Sequence, residues 1–213
     1  MKFLVISDLH QKKSRIPSIN SRIKEYGADF TVFLGDVTDM GTGEDAVSIL
    51  SEIDSEVYVI PGNCDPRDMP SAVSDIAHDM HGKSADIMGL RFAGLGGSNI
   101  TIFGTPFELT EEELYEGLKT VSEKGMVLMT HVPSYGILDE IPSGLNVGSP
   151  AVGRIVEEFG PVLALSGHVH EAIGTVKKNG TVFVNPGPAR DGYAAVIEID
   201  GGGIDVKMLG PRD

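Results

Sequence analysis

Seven side chains able to bind a metal follow the ends of five short apolar runs. Phe3-Leu4-Val5-Ile6 leads to Asp8 and His10, and Thr31-Val32-Phe33-Leu34 leads through Gly35 to Asp36. Val57-Tyr58-Val59-Ile60 leads through Gly62 to Asn63, and Met126-Val127-Leu128-Met129 leads to His131. Val162-Leu163-Ala164-Leu165 leads through Gly167 to His168 and His170. Carboxylate, amide and imidazole donors without a required thiolate suit manganese, iron, zinc, nickel or cobalt. Magnesium usually keeps more water and fewer imidazoles. Asp36 is the natural bridge, since its carboxylate can give one oxygen to each of two ions. Two divalent cations, offset by Asp8, Asp36 and a bridging hydroxide, leave a centre that still attracts phosphate. Such a pair, about 3.5–4 Å apart, lowers the pKa of bound water and clamps phosphoryl oxygens. The chemistry expected is metal-dependent hydrolysis of a phosphate ester.

These side chains need elements that bring them together. Runs of β-prone residues bounded by Gly, Pro or Asp read as buried strands. Residues just past strand ends gather along one sheet edge, where open α/β folds place their sites. Asp8 and His10 are one residue apart, as are His168 and His170, so in extended segments each pair points to one side. Gly35, Gly62 and Gly167 each precede a candidate ligand and are expected to supply positive φ and close backbone approach. Strands at 2–7, 30–34 and 57–60 alternate with helices near 14–26, 43–53 and 70–75, which implies parallel strands. Residues 84–104 read as short strands and Gly-rich turns. Helices follow near 110–124, opened by a Thr110/Glu113 capping box, and near 149–159, opened by Ser149-Pro150. Asn179-Gly180 predicts a hairpin between 172–177 and 181–185, and Gly201-Gly202-Gly203 another between 193–199 and 204–209. The expected fold is α/β, two mixed sheets packed as a sandwich flanked by helices, in one domain over residues 1–213.

Composition bounds the function. The chain has 213 residues, 41% of them hydrophobic, and a formal charge of −14. That charge repels long nucleic acids and disfavours their stable binding, while a small anionic ester remains a suitable partner. No apolar stretch approaches the ~18 residues of a membrane span, and the four apolar residues after Met1-Lys2 are too few for a signal sequence. Cys64 is the single cysteine, so no intrachain disulfide forms. The cytoplasm is the expected location. Nothing in the sequence indicates an oligomeric state.

In order and spacing, Asp8-x-His10, Gly35-Asp36-x-x-Asp39, Gly62-Asn63-Cys64-Asp65, His131 and Gly167-His168-Val169-His170 resemble the motif set of calcineurin-like metallophosphoesterases, over residues 3 to about 187. The resemblance implies a β-sandwich flanked by helices and two divalent ions, manganese first among them. Asp8, His10, Asp36 and His170 would hold one ion, and Asp36, Asn63, His131 and His168 the other. The implied chemistry is attack by a metal-bridging hydroxide, with Asp36, Asn63 and His131 as the catalytic residues.

The sequence departs from the pattern at Cys64, where many relatives carry a His thought to assist the leaving group. A thiol is a poorer acid at neutral pH. Small relatives with the same Cys look biased toward diesters or activated esters, which favours a phosphodiesterase over a phosphomonoesterase. Met40 and Cys64-Asp65 stand where eukaryotic protein phosphatases have Arg and His-Glu. A non-enzymatic scaffold, such as a retromer subunit of this fold, is the rival from another class, but all seven ligand positions are filled. Asp39 and Asp65 could cap helices or orient ligands. The loop from Pro133 to Gly148 could shape substrate entry. His78 and His81 lie outside the motifs and read as ordinary polar residues. Gly96-Gly97-Ser98-Asn99 and Arg190 could reach phosphate or sugar, or be structural.

Overall fold

Alternation along the first strand, Lys2–Ile6 (β1), sends Phe3 and Val5 into one apolar layer and Leu4 and Ile6 into another. Both layers are buried, so the strand lies between them and reads as a continuous hydrophobic run. In the computed structural model, which describes residues 1–211, this strand lies inside a six-stranded sheet. It is followed by Ile16–Tyr26 (α1), Phe30–Phe33 (β2), Gly43–Leu50 (α2), Val57–Val59 (β3), Met69–Ala72 (α3) and His78–Asp79 (β4). Ile16, Ile19 and Ile23 stripe α1 at helical spacing, and Gly27 ends it in the left-handed region at φ 61°. The helix expected over 43–53 stops at Leu50 and the one over 70–75 is a single turn, Met69–Ala72.

The second half repeats the plan. Lys83–Ile87 (β5) and Leu90–Leu95 (β6) form a hairpin, and Ser98–Asn99 (β7) pairs with Glu108–Leu109 (β8). Then come Glu111–Val121 (α4), Val127–Thr130 (β9), Pro150–Phe159 (α5), Leu163–Leu165 (β10), Gly174–Lys178 (β11), Thr181–Asn185 (β12), Ala194–Asp200 (β13) and Gly203–Leu209 (β14). The Thr110/Glu113 capping box is present, and Ser149 caps α5 ahead of Pro150. Asn179 and Gly180 both take positive φ, as a two-residue turn between β11 and β12 requires.

The two sheets are β14-β13-β1-β2-β3-β4 and β11-β12-β10-β9-β6-β5. β1-β2-β3-β4 and β12-β10-β9-β6 run parallel, while β13 on β1 and the hairpin partners β14, β11 and β5 run antiparallel. Phe3, Phe30, Phe92, Val127, Leu163 and their neighbours fill the space between the sheets. Helices α1 to α3 cover the outer face of the first sheet, while α4 and α5 cover that of the second. The mixed α/β sandwich expected from the sequence is the one observed. Its consequence is positional: β1, β2, β3, β9 and β10 all end on the same edge.

Candidate metal centre

The edge is held together by backbone bonds before any side chain acts. Asp8 N–H donates to Gly35 O (3.0 Å) and His10 N–H to Asp36 O (2.9 Å), joining the turns after β1 and β2. Gly167 N–H donates to His131 O (2.9 Å), joining those after β9 and β10. The turns are tighter than extended strand ends. Asp8, His10, Asp36 and His168 take φ of 57°, 47°, 50° and 66°, so the side-by-side pairs expected from extended backbone do not occur. Left-handed backbone costs an L-residue free energy and is tolerated where the surroundings fix it.

The glycines divide the work differently from the sequence expectation. Gly35 alone of the three has positive φ, 94°. Gly62 and Gly167 are required by crowding. A Cβ on Gly62 would run into the backbone and carboxylate of Asp36, and one on Gly167 into Ser7 and Asp8.

All seven candidate side chains converge. Asp8, Asp36, Asn63 and His131 are buried, and His10, His168 and His170 are partly exposed at the mouth. His170 Nε2 lies 3.2 Å from Asp8 Oδ1, and His10 Nε2 lies 3.6 Å from Asp36 Oδ2 and 4.0 Å from Asp8 Oδ1. His131 Nε2 is 3.0 Å from Asn63 Oδ1 and 3.5 Å from Asp36 Oδ2. The ring of His168 meets that of His131 edge-on at 5.1 Å. Donor atoms of Asp8, His10 and His170 lie within 4.8 Å of one another, as do those of Asp8, Asp36 and His131 and those of His10, Asp36 and Cys64.

Two features fit these residues to cations. His131 Nδ1 donates to the Leu34 carbonyl over 2.7 Å, so a neutral ring turns the Nε2 lone pair toward two oxygens. Asn63 Nδ2 donates to Thr105 Oγ1 (3.1 Å), which commits its Oδ1 to that same point. Lone pairs facing one another need a proton or a metal ion between them. In addition, both ring nitrogens of His10 are buried and, among the described residues, have no hydrogen-bond partner. Buried polar atoms are seldom left unmatched.

The electrostatics follow. Burial opposes ionisation of Asp8, but the His170 hydrogen bond and the charges of His131 and His170 hold its carboxyl below the usual range. Asp36 is likewise lowered, with His131 outweighing burial. Burial opposes protonation of His131 too, yet Asp36, Asp8 and the Leu34 carbonyl raise it to about 9. Burial and the charge of His131 push His168 down to about 4. Burial, then the charge of Asp36, pushes the Cys64 thiol far up.

A family model described as calcineurin-like phosphoesterase matches residues 1–172. The chain belongs to the calcineurin-like phosphoesterase family. It is 34% identical over 197 residues to the uncharacterized protein MJ1162 of Methanocaldococcus jannaschii, covering 88% of each chain. A dimetal phosphatase from Danio rerio has a similar fold, with TM-score 0.67 at 14% identity, covering 99% of this chain and 96% of that one. So does an archaeal phosphodiesterase, with TM-score 0.60 at 12% identity, covering 98% of this chain and 100% of that one.

Around the family motifs stand residues that the sequence reading left open or missed. Asp65 is not a cap. Its carboxylate accepts from Val37, Thr38 and Gly62 N–H and from the Thr38 hydroxyl, at 2.7 to 3.2 Å, and so ties the Asp36 turn to the Asn63 turn. Burial and the charge of Asp36 nevertheless raise it to about 6. Asp39 is mostly exposed, with a carboxylate oxygen 3.7 Å from His10 Nδ1. Arg190, on the short helical turn Ala189–Asp191, donates from Nη2 to His170 Nδ1 (3.0 Å), while its backbone N–H reaches Asp8 O (3.1 Å). Gly96 packs against Pro61 and donates to His81 Nδ1, a structural use. Asp139 organises the 133–148 loop by accepting from Gly136, Gly148 and Asn146. Thr105 had no local signal, because its partner Asn63 lies 42 residues away.

Proposed function

We propose that this protein hydrolyses small phosphate esters with two bound divalent ions, manganese first among them, and prefers diesters. The observation that carries the reading is the meeting of His131 Nε2, Asn63 Oδ1 and Asp36 Oδ2 at 3.0 to 3.5 Å with no donor proton among them when the ring is neutral. Asp8, His10, Asp36 and His170 would hold one ion, and Asp36, Asn63, His131 and His168 the other. The bound pair would supply a water ionised near neutral pH and positive charge for the phosphoryl oxygens.

The chain's own residues have separate tasks. Asp36 faces both groups of donors, with its Oδ1 fixed by the Cys64 N–H (2.8 Å). Asn63 and His131 present acceptor atoms, so they would act on the phosphoryl group through the ion they hold. Arg190 adds a cation beside His170. Cys64, its thiol held protonated at neutral pH, is a weak acid, so esters whose leaving group needs no proton are favoured. That favours diesters with acidic leaving groups. The net charge of −14 disfavours long nucleic acids as substrates. No helix among the described residues is long and apolar enough to cross a membrane, and the free Cys64 suits the reducing cytoplasm.

The test is to strip the protein of metal, reload it with manganese and measure metal content with turnover of a p-nitrophenyl diester and monoester. About two ions per chain and faster diester turnover are expected, with activity lost on chelation. A loaded protein inert toward both esters overturns the reading, and faster monoester turnover reverses the preference.

A further inference from the structure

Ile100, Ile102 and Phe103 lie within four residues and are 66%, 95% and 77% exposed. Large apolar side chains occur singly on any protein surface, but three in one loop mark a place where something binds. The loop is not slack. Pairing of β7 with β8 closes its base, Ser98 opposite Glu108 and Asn99 opposite Leu109. Glu108 Oε1 then accepts from the Thr101 hydroxyl (2.5 Å), Thr105 N–H (2.9 Å) and the Thr105 hydroxyl (2.8 Å). Polar side chains turn inward and apolar ones outward, the reverse of an ordinary surface loop.

The same loop is fastened to the candidate metal centre. Thr105 Oγ1 accepts from Asn63 Nδ2 (3.1 Å), and Phe107 N–H donates to Asn63 O (3.0 Å). Residues 100–106 carry no charge in a chain of net −14. A non-ionic apolar group is what such a surface recognises. A phosphate diester has two arms, one leaving and one staying, and Phe103 stands two residues from Thr105, which touches Asn63.

We infer that the 100–106 loop forms a binding lip for an apolar arm of the substrate, an alkyl or aryl group esterified to the phosphate. This rests on the hydrolase reading and names its substrate class. Hexyl and methyl p-nitrophenyl phosphate share one leaving group and differ only in the arm that stays. The expected kcat/KM ratio of hexyl over methyl is about tenfold, falling to near one in Ile102→Ser/Phe103→Ser, whose substitutions lie in solvent and should leave the melting temperature unchanged.

Calorimetric binding of hexylphosphonate against methylphosphonate to the manganese-loaded protein reads the lip without turnover. Tighter binding of the hexyl ligand, lost in the double variant, supports the lip even if neither ester is hydrolysed, in which case only the hydrolase reading falls. Equal affinities, a hexyl advantage that survives the substitutions, or binding of neither phosphonate overturns the lip. So does self-association of the protein that the same substitutions abolish, since the patch would then be filled by a second copy.

Discussion

At the scale of single residues, the centre is a set of acceptors in want of cations. Asp36 lies between both donor groups, so Asp36→Asn removes a charge each ion would share. Turnover should fall at least about a thousandfold and the metal content drop below the wild-type value. Metal analysis beside a diester assay checks both, and full activity in that variant is the outcome that sinks the assignment. Thr105 acts one step further out. Its hydroxyl accepts from Asn63 Nδ2 while donating to Glu108, and so keeps the Asn63 oxygen aimed at His131. Thr105→Val should weaken manganese binding or activity about tenfold, the lower end for such outer partners, and Thr105→Ser should restore it. A purely structural Thr105 would lower thermal stability without changing metal affinity, so calorimetric titration separates the two.

At the scale of elements, the site is made by where five strands stop and how sharply the chain turns there. The stops were legible because Phe3–Ile6, Val32–Leu34 and Val127–Met129 are apolar on both faces, as suits buried parallel strands. The convergence of seven donors was legible for the same reason. The turn geometry was not, since Asp and His take left-handed φ more often than most residues yet are far commoner elsewhere, so residue type alone does not reveal it at Asp8, His10, Asp36 and His168. Nor were the ties made by Asp65 and Thr105 legible, because their partners meet only after the sheets pack. The glycines show how the distinction can be measured. Gly62→Ala places a Cβ against Asp36 and should cost about 1–3 kcal/mol in urea unfolding together with metal binding. Gly27→Ala, at φ 61° with open space around it, should cost about 1 kcal/mol and leave metal binding intact. Equal loss of metal in both variants would show that crowding at Gly62 is not what shapes the centre.

For the whole molecule, the same charges couple folding, pH and metal. Without ions, His131 is raised from 6.5 to about 9, so its proton stabilises the fold fully below about pH 6.5 and that contribution is lost as pH rises through about 9. Asp8 and Asp36 have folded values below the ordinary 3.8, so their contribution is complete above that value and lost as pH falls further. His168, held down to about 4, and His10, also lowered, cost stability as pH falls below about 6.5. Asp65, raised to about 6, offsets part of that loss, so the metal-free protein should melt highest near pH 6.5 and lose stability toward pH 8.5. An ion placed at His131 Nε2 must displace the proton held there, so metal affinity should rise over the upper part of that range. At ~100 times its dissociation constant, each ion would add about 2.7 kcal/mol. The melting temperature with manganese should then separate increasingly from that with chelator between pH 6.5 and 8.5. Calorimetry at pH 7 in buffers of different ionisation enthalpy should show proton release on metal binding. A metal-free melting temperature flat from pH 6.5 to 8.5, with no protons released, would mean that His131 is not charged in the folded protein and that its Nε2 is not where a cation binds.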